Sequence, residues 1–358
     1  MTHSTHSLRR ILAAGLPAAL LCAALIGAPQ ANAADAAPKA SGWKVPRTAD
    51  GKPDLQGNWT NATITPLERP AKYTNRSLSD AEAAQLEGEE AQANAAGDAP
   101  TDPKHTIKDL PVNCGKGFSG VDCGYNSFWV DAGTKVVVID GEKRSSLITN
   151  PENGKVPPLT PQRQKAMGEL MRTMRSNFDG PEARPLGERC LLSFGSSSGP
   201  PMLPSLYNNN YQIIQGADTV TILVEMVHDA RIVRIGAPHL PQNLRKWMGD
   251  SIGHWEGDTL VVETTNFNGK QFFRGATENL KVVDRFTRTS LDTIKYQFTI
   301  EDPTAFTAAW SGEVPMHATP EKIYEYACHE GNYALPGILA GAREEERVAA
   351  AKKKEGGT

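Results

Sequence analysis

The amino-acid sequence predicts a mainly β protein, an antiparallel meander that closes into a lipocalin-like barrel or packs as a sandwich, with a few peripheral helices. Short β-rich runs separated by tight turns fill residues 207–328, and their spacing leaves no room for crossover helices. Apolar residues alternate along these runs, for example at Tyr296, Phe298 and Ile300. A closed or half-closed sheet is favoured because it leaves no long unpaired edge.

The N-terminal residues are typical of a secretory signal peptide. Two arginines precede an apolar run at residues 11–26, and an Ala-Asn-Ala cleavage site ends at Ala33. We therefore predict a signal peptide at residues 1–33, cleavage after Ala33 and a periplasmic mature protein. The next residues are rich in Ala, Pro and Lys, so a flexible segment is expected at 34–50.

One β-rich domain is expected at residues 51–340, followed by a charged helix or tail at 341–358. It begins with a strand around Trp59 and carries helical insertions at 79–96 and 160–177. The second insertion has an N-cap threonine, a first-turn proline and apolar residues at helical spacing, which are expected to be core. Strands are predicted at 211–215, 219–227, 231–235, 253–256, 259–264, 282–289, 293–300 and 323–326, and a hairpin turn at Asp140-Gly141 joins 135–139 to 146–149.

Four cysteines follow the signal peptide, and an even number in an oxidising compartment favours two disulfides. Three pairings are open. The short spacing of Cys114 and Cys123 allows a local bridge, which leaves Cys190 with Cys328. That second bridge would tie the start of the β-rich half to its end.

Charge and hydropathy limit the partners. The formal net charge of −3 does not favour nucleic acid, and no later segment is as continuously apolar as the signal peptide, so no membrane insertion is expected. Phosphate loops, nucleophile elbows, H-E-x-x-H helices and dinucleotide fingerprints are missing from the sequence. We therefore predict a small-molecule partner, no cofactor and no metal.

The stretch from Gly249 to Phe267, GDSIGHWEGDTLVVETTNF, carries a family resemblance. It resembles a family of secreted proteins of acidobacteria and proteobacteria, and so do the segments around Trp59, Asp229 and Cys328. This resemblance implies export but brings no catalytic assignment with it. A weaker similarity, to lipocalin-like barrels, lies in the Gly57-Asn58-Trp59 triplet near the first strand.

Polar residues cluster in the β-rich half, which holds five of the six histidines that follow the signal peptide. Histidine beside a carboxylate can transfer protons near neutral pH, and arginine can bind a carboxylate through two hydrogen bonds. Of the two nearby arginines, we expect one ligand contact and one structural ion pair. The candidate catalytic residues are His228, Asp229, His254, His329 and Glu330, and the candidate substrate-binding residues are Arg231, Arg234, Trp247, Trp255 and Asn332.

Two functions with a polar pocket are compatible with this pattern, and a structural or protein-interaction module without such a pocket is a third. The first is an enzyme, a lyase, isomerase or hydrolase that uses histidine and carboxylate acid–base catalysis on a small molecule. The second is a non-catalytic periplasmic binding protein of lipocalin type with the same pocket. Both place His228, Arg231, His254 and His329 around one cavity in the β-rich half, inside the barrel if the sheet closes.

Overall fold

The computed structural model describes residues 43–97, 130–193, 199–270 and 273–355. The predicted signal peptide and the Cys114–Cys123 bridge lie outside these residues. In chain order the strands are β1 (Gly57–Thr60), β2 (Val138–Ile139), β3 (Glu142–Lys143), β4 (Ile148–Asn150), β5 (Asn210–Gln215), β6 (Thr219–Val224), β7 (Ala230–Ile235), β8 (Asp250–Glu256), β9 (Thr259–Thr265), β10 (Lys281–Arg288), β11 (Thr293–Glu301) and β12 (Trp310–Ala318).

Nine of these strands close into a barrel, which confirms the predicted closed sheet. The order around the barrel is β1, β5, β6, β7, β8, β9, β10, β11 and β12, and β1 returns to β12 with Trp59 opposite Ala318. β4 adds a short tenth strand beside β12. The predicted turn at Asp140-Gly141 is also confirmed, since both residues have positive φ, but it joins β2 to β3 and not to residues 146–149.

The meander is interrupted at one place, where β7 and β8 pair in parallel with Val233 opposite Ser251. Parallel neighbours need a connection of a dozen or more residues, and residues 236–249 supply it. The expectation of antiparallel pairing throughout is therefore wrong here. The connection contains two prolines and no strand pattern, but it is long enough to return the chain to the end of the barrel where β7 begins. β8 can therefore start at that end and run parallel to β7.

The predicted strand at 323–326 does not form, and β12 was not predicted. β12 contains Gly312 and Pro315, two residues that normally argue against a strand. The Glu313 N–H donates to the Leu147 carbonyl, on the side of β12 that faces β4. Position 315 points to the same side, because alternate residues of a strand do so, and it lies at the gap between β4 and β1. Pro315 is tolerated there because no neighbouring strand requires an N–H donor. Gly312 is required because a Cβ there would lie 2.4 Å from the Phe298 ring.

Large side chains fill the barrel interior. Trp59, Tyr211, Tyr296, Phe298 and Trp310 are all fully buried there, and the aromatic rings on β11 and β12 contact one another. The interior is therefore packed core, and the expectation of a ligand pocket within it is not met.

Helices α1 (Asp80–Gly97), α2 (Pro161–Ser176) and α3 (Ala334–Glu355) lie outside the barrel. α2 begins as predicted, with the Thr160 hydroxyl accepting a hydrogen bond from the Arg163 N–H. α3 begins at Ala334, ahead of the predicted residue 341. Among the described residues, no helix combines the length and the apolar character that a membrane crossing needs.

α2 covers one end of the barrel, which we call the capped end. Its Arg163 side chain donates hydrogen bonds to the carbonyls of Gly275 and Ala276, in the connection between β9 and β10. The capped end also holds the connections between β6 and β7 and between β11 and β12. At the opposite end lie the β5–β6 turn and the β8–β9 turn.

Candidate functional site

The residues predicted to share a cavity are divided between the two faces of the barrel wall. Arg231 on β7 points inward and is 2 % exposed. The side chain of His254 on β8 points outward, is 60 % exposed and pairs with Glu256 at 3.1 Å. Alternation along the strands explains the split, because Arg231 shares its inward face with Val233 and Ser251, whereas His254 follows the inward Gly253.

Arg231 belongs to a buried polar network in the barrel. Its guanidinium donates to Ser251 Oγ at 3.1 Å, to Thr264 Oγ1 at 2.8 Å and to the carboxylate of Asp284. The Tyr296 hydroxyl donates to the other oxygen of Asp284 at 2.6 Å. Burial, and then the charge of Asp284, raise the pKa of Tyr296 well above its ordinary value, so the phenol remains a donor.

Arg234 is held on the outer face. It bonds both oxygens of Asp250, at 3.1 and 2.9 Å, and His239 lies between Asp250 and Glu263 at 3.0 and 3.2 Å. One ligand contact and one structural ion pair were expected for the two arginines, and the structure holds both of them in protein ion pairs.

The remaining candidates for acid–base chemistry lie in turns, not on the strands that carry Arg231 and His254. His329 and Glu330 are exposed in the turn before α3. Asp229 is half-buried at the turn between β6 and β7, and its carbonyl accepts the Val224 N–H. The backbone of His228 lies in that turn, but its side chain is outside the described part of the structure.

The two predicted tryptophans lie at opposite ends of the barrel. Trp255 packs on the core at the end away from α2, beside a cavity of about 170 Å³. Trp247, in the β7–β8 connection, lines a cavity of about 990 Å³ at the capped end, which we call the end cavity.

The end cavity lies outside the barrel proper. Segment 199–206 forms its floor and also closes the barrel, because the Met202 N–H donates to the Tyr296 hydroxyl at 2.9 Å. Its walls come from residues 63–67, from α2, from residues 182–193 and from the loops that carry Trp247 and Phe273.

Apolar side chains dominate the lining. α2 contributes Leu170 and Met174, which sequence analysis assigned to the core; they are half-buried because they face this cavity. The other apolar lining residues include Ile64, Leu67, Leu147, Leu186, Leu192, Leu203, Leu206 and Phe273. No histidine is among the described residues that line it.

The wall at residues 182–193 is fixed by the one predicted bridge that the structure describes. The Cys190–Cys328 disulfide is confirmed, with the two Cα atoms 5.7 Å apart. Asn332 reinforces it by donating to the Glu188 carbonyl at 3.3 Å. Asn332 was predicted to bind substrate, and the structure places it behind the cavity wall.

Sequence analysis missed most of this site. Of the ten candidate residues, Trp247 is the only one among the described side chains that line the end cavity. The walls come from irregular segments, whose only sequence signal is a high content of proline, glycine and leucine at 181–206. No family model, curated protein or solved structure matches this chain.

Proposed function

We propose that this protein binds a small molecule in the end cavity, without catalysis, as an exported protein of the bacterial periplasm. The observation that carries the proposal is a concave space of about 990 Å³ lined mainly by apolar side chains. Ligand pockets commonly measure about 300–1,000 Å³ and have this composition, with a few polar groups that orient the ligand.

Binding is favoured over acid–base catalysis by the residues that line the space. The described lining contains no histidine, and the candidates His254, His329 and Glu330 are not part of it. The disulfide favours the exported location, since such bridges persist in oxidising compartments. The signal-peptide pattern and the resemblance to secreted proteins favour it as well.

Titration with N-phenyl-1-naphthylamine, a neutral dye that fluoresces in apolar surroundings, tests the proposal. We expect saturable binding, because the lining would remove most of the dye from water. The variant Leu206→Trp adds bulk to the floor of the cavity and should weaken binding at least tenfold.

Leu291→Trp is the matched control, because Leu291 is also an exposed leucine but lies in the β10–β11 turn, outside the cavity. Its affinity for the dye should equal that of the wild type. Absence of saturable binding, or equal loss in both variants, would contradict a ligand site in the end cavity.

A further inference from the structure

The end cavity also presents cationic side chains that no carboxylate among the described residues neutralises. Arg189, Lys270 and Arg274 line it, and within the described residues their side chains form no hydrogen bond or ion pair. Arg184 differs, because it pairs with Glu188 at 2.9 Å and stacks over Phe178 at 4.5 Å. Arg184 is therefore part of the wall, and the other three cations are available to a ligand.

Burial distinguishes one of these cations, Arg189, from ordinary surface charges. Arg189 is half-buried, whereas Lys270 and Arg274 are exposed. A half-buried guanidinium without a partner has lost hydration that no counter-charge replaces, and a bound anion would supply that charge. Two carboxylates, Glu90 and Glu182, line the same space, and the four lining cations outnumber them.

The backbone beside both arginines adopts conformations that residues other than glycine rarely occupy. Cys190, which follows Arg189, has φ 54°, and Arg274 itself has φ 49°. Left-handed residues of this kind persist where surrounding contacts hold them, and they concentrate at binding sites. For Arg189 the disulfide of Cys190 is one such contact.

We propose that the ligand of the end cavity is an organic anion with an apolar body, whose carboxylate or similar head group binds Arg189 and Arg274. The proposal rests on the proposed function, because it requires the end cavity to be the ligand site. The apolar lining would hold the body of the ligand, and the arginines would hold the head group through charge-assisted hydrogen bonds.

A competition series separates charge from hydrophobicity. Decanoate, decanol and decyltrimethylammonium, each below its micelle concentration, would displace N-phenyl-1-naphthylamine from the wild-type protein at pH 7.5. We expect decanoate to bind at least about tenfold more tightly than decanol, and the ammonium compound to bind most weakly. High salt should reduce the preference for decanoate, since both arginines remain accessible to water.

The double variant Arg189→Gln/Arg274→Gln should lower the affinity for decanoate about tenfold or more and leave that for decanol within about twofold. Lys165→Gln is the control, because it removes the same kind of charge from α2 at an exposed residue outside the lining. It should change neither affinity.

Three results would overturn the proposal: equal wild-type affinity for decanoate and decanol, a preference for the ammonium compound, or a double variant that loses all three ligands equally. These failures are distinct from failure of the proposed function. If the proposed function fails, the dye itself does not bind, and the competition series has no bound dye to displace.

Discussion

The buried pair of Arg231 and Asp284 allows a quantitative test of how the barrel is held together. Both side chains are almost completely buried, at 2 % and 0 % exposure. Asp284→Ala removes the acceptor of both Arg231 and Tyr296 and leaves a guanidinium inside the barrel without its counter-charge. Loss of one partner of a buried pair costs about 3–5 kcal/mol of unfolding free energy, so we expect this decrease in Asp284→Ala.

The double variant Arg231→Met/Asp284→Leu should recover most of that loss. It removes both charges and fills the space with apolar atoms, a replacement that is often neutral or stabilising. Urea unfolding of the wild type, Arg231→Met, Asp284→Leu and the double variant gives the coupling energy. The slope of each transition shows whether unfolding remains two-state. We expect the two substitutions to couple by about 2 kcal/mol or more.

The control pair lies on the outer side of β10. Arg285 bonds Glu256 at 2.7 Å, and the two side chains are 39 % and 49 % exposed. Glu256→Ala should leave the urea midpoint close to the wild-type value, because water screens exposed pairs. A cost below about 1 kcal/mol for Asp284→Ala, or a double variant that loses the sum of the single losses, would refute the buried network as a coupled unit.

Four further predictions concern packing, the disulfide and the titration of two carboxylates. Gly312→Ala would place a Cβ 2.4 Å from the Phe298 ring and should destabilise the fold by about 1–3 kcal/mol in the same urea assay. Gly88→Ala is the comparison: its Cβ would lie in open space on α1, and it should stabilise the fold by up to about 1 kcal/mol. Cys190→Ala/Cys328→Ala removes a bridge across 138 residues, which stabilises the fold by up to about 5 kcal/mol through chain entropy. It should also weaken dye binding, because the wall segment that carries Leu192 loosens. Unchanged affinity would show that this wall segment keeps its structure without the disulfide. Burial opposes ionisation of Asp250, but the Leu240 N–H, His239 and Arg234 outweigh burial and lower the pKa of this carboxyl. The ionised carboxylate therefore contributes its full stabilisation above the unfolded pKa of about 3.9, and this stabilisation is lost as the pH falls through the lower folded pKa. Asp250→Asn should therefore flatten the fall of Tm below about pH 4. Burial, and then Glu225 and Glu321, raise the pKa of Asp131, so Asp131→Asn should instead raise Tm at pH 7, and a lower Tm would contradict that sign.

The regular elements of this fold could be predicted because their sequence patterns are local. Alternation gave β11 to within one residue at its end, and the Thr160-Pro161 signal gave the start of α2. β12 could not be predicted, because Pro315 is acceptable only where the neighbouring strands leave a gap. Such a gap is a property of the closed sheet, and no local pattern contains it.

The candidate site was less predictable because polar residues were grouped by their positions in the sequence. Arg231 and His254 lie in neighbouring strands, but whether they share a face depends on the register between β7 and β8, which the sequence does not state. Cys190–Cys328 was predictable because four cysteines allow only three pairings and the short spacing of Cys114 and Cys123 favours a local bridge between them. The end cavity arises where several irregular segments meet, and their meeting depends on the complete fold.

The parallel pairing of β7 with β8 explains why the end cavity has its aromatic wall. In a pure meander a tight turn would follow Ile235, and the chain would begin β8 at the end of the barrel opposite α2. Residues 236–249 instead carry the chain back to the capped end before β8 begins, and Trp247 is delivered there beside the loop that holds Phe273. The barrel interior is packed, so substitutions there are destabilising. The connections at one end of the barrel tolerate changes of sequence, because the barrel supports them rigidly. The parallel pairing of β7 with β8 is therefore the feature of the fold that places Trp247 in the proposed site. The disulfide of Cys190 fixes another part of the cavity wall, the part that carries Arg189.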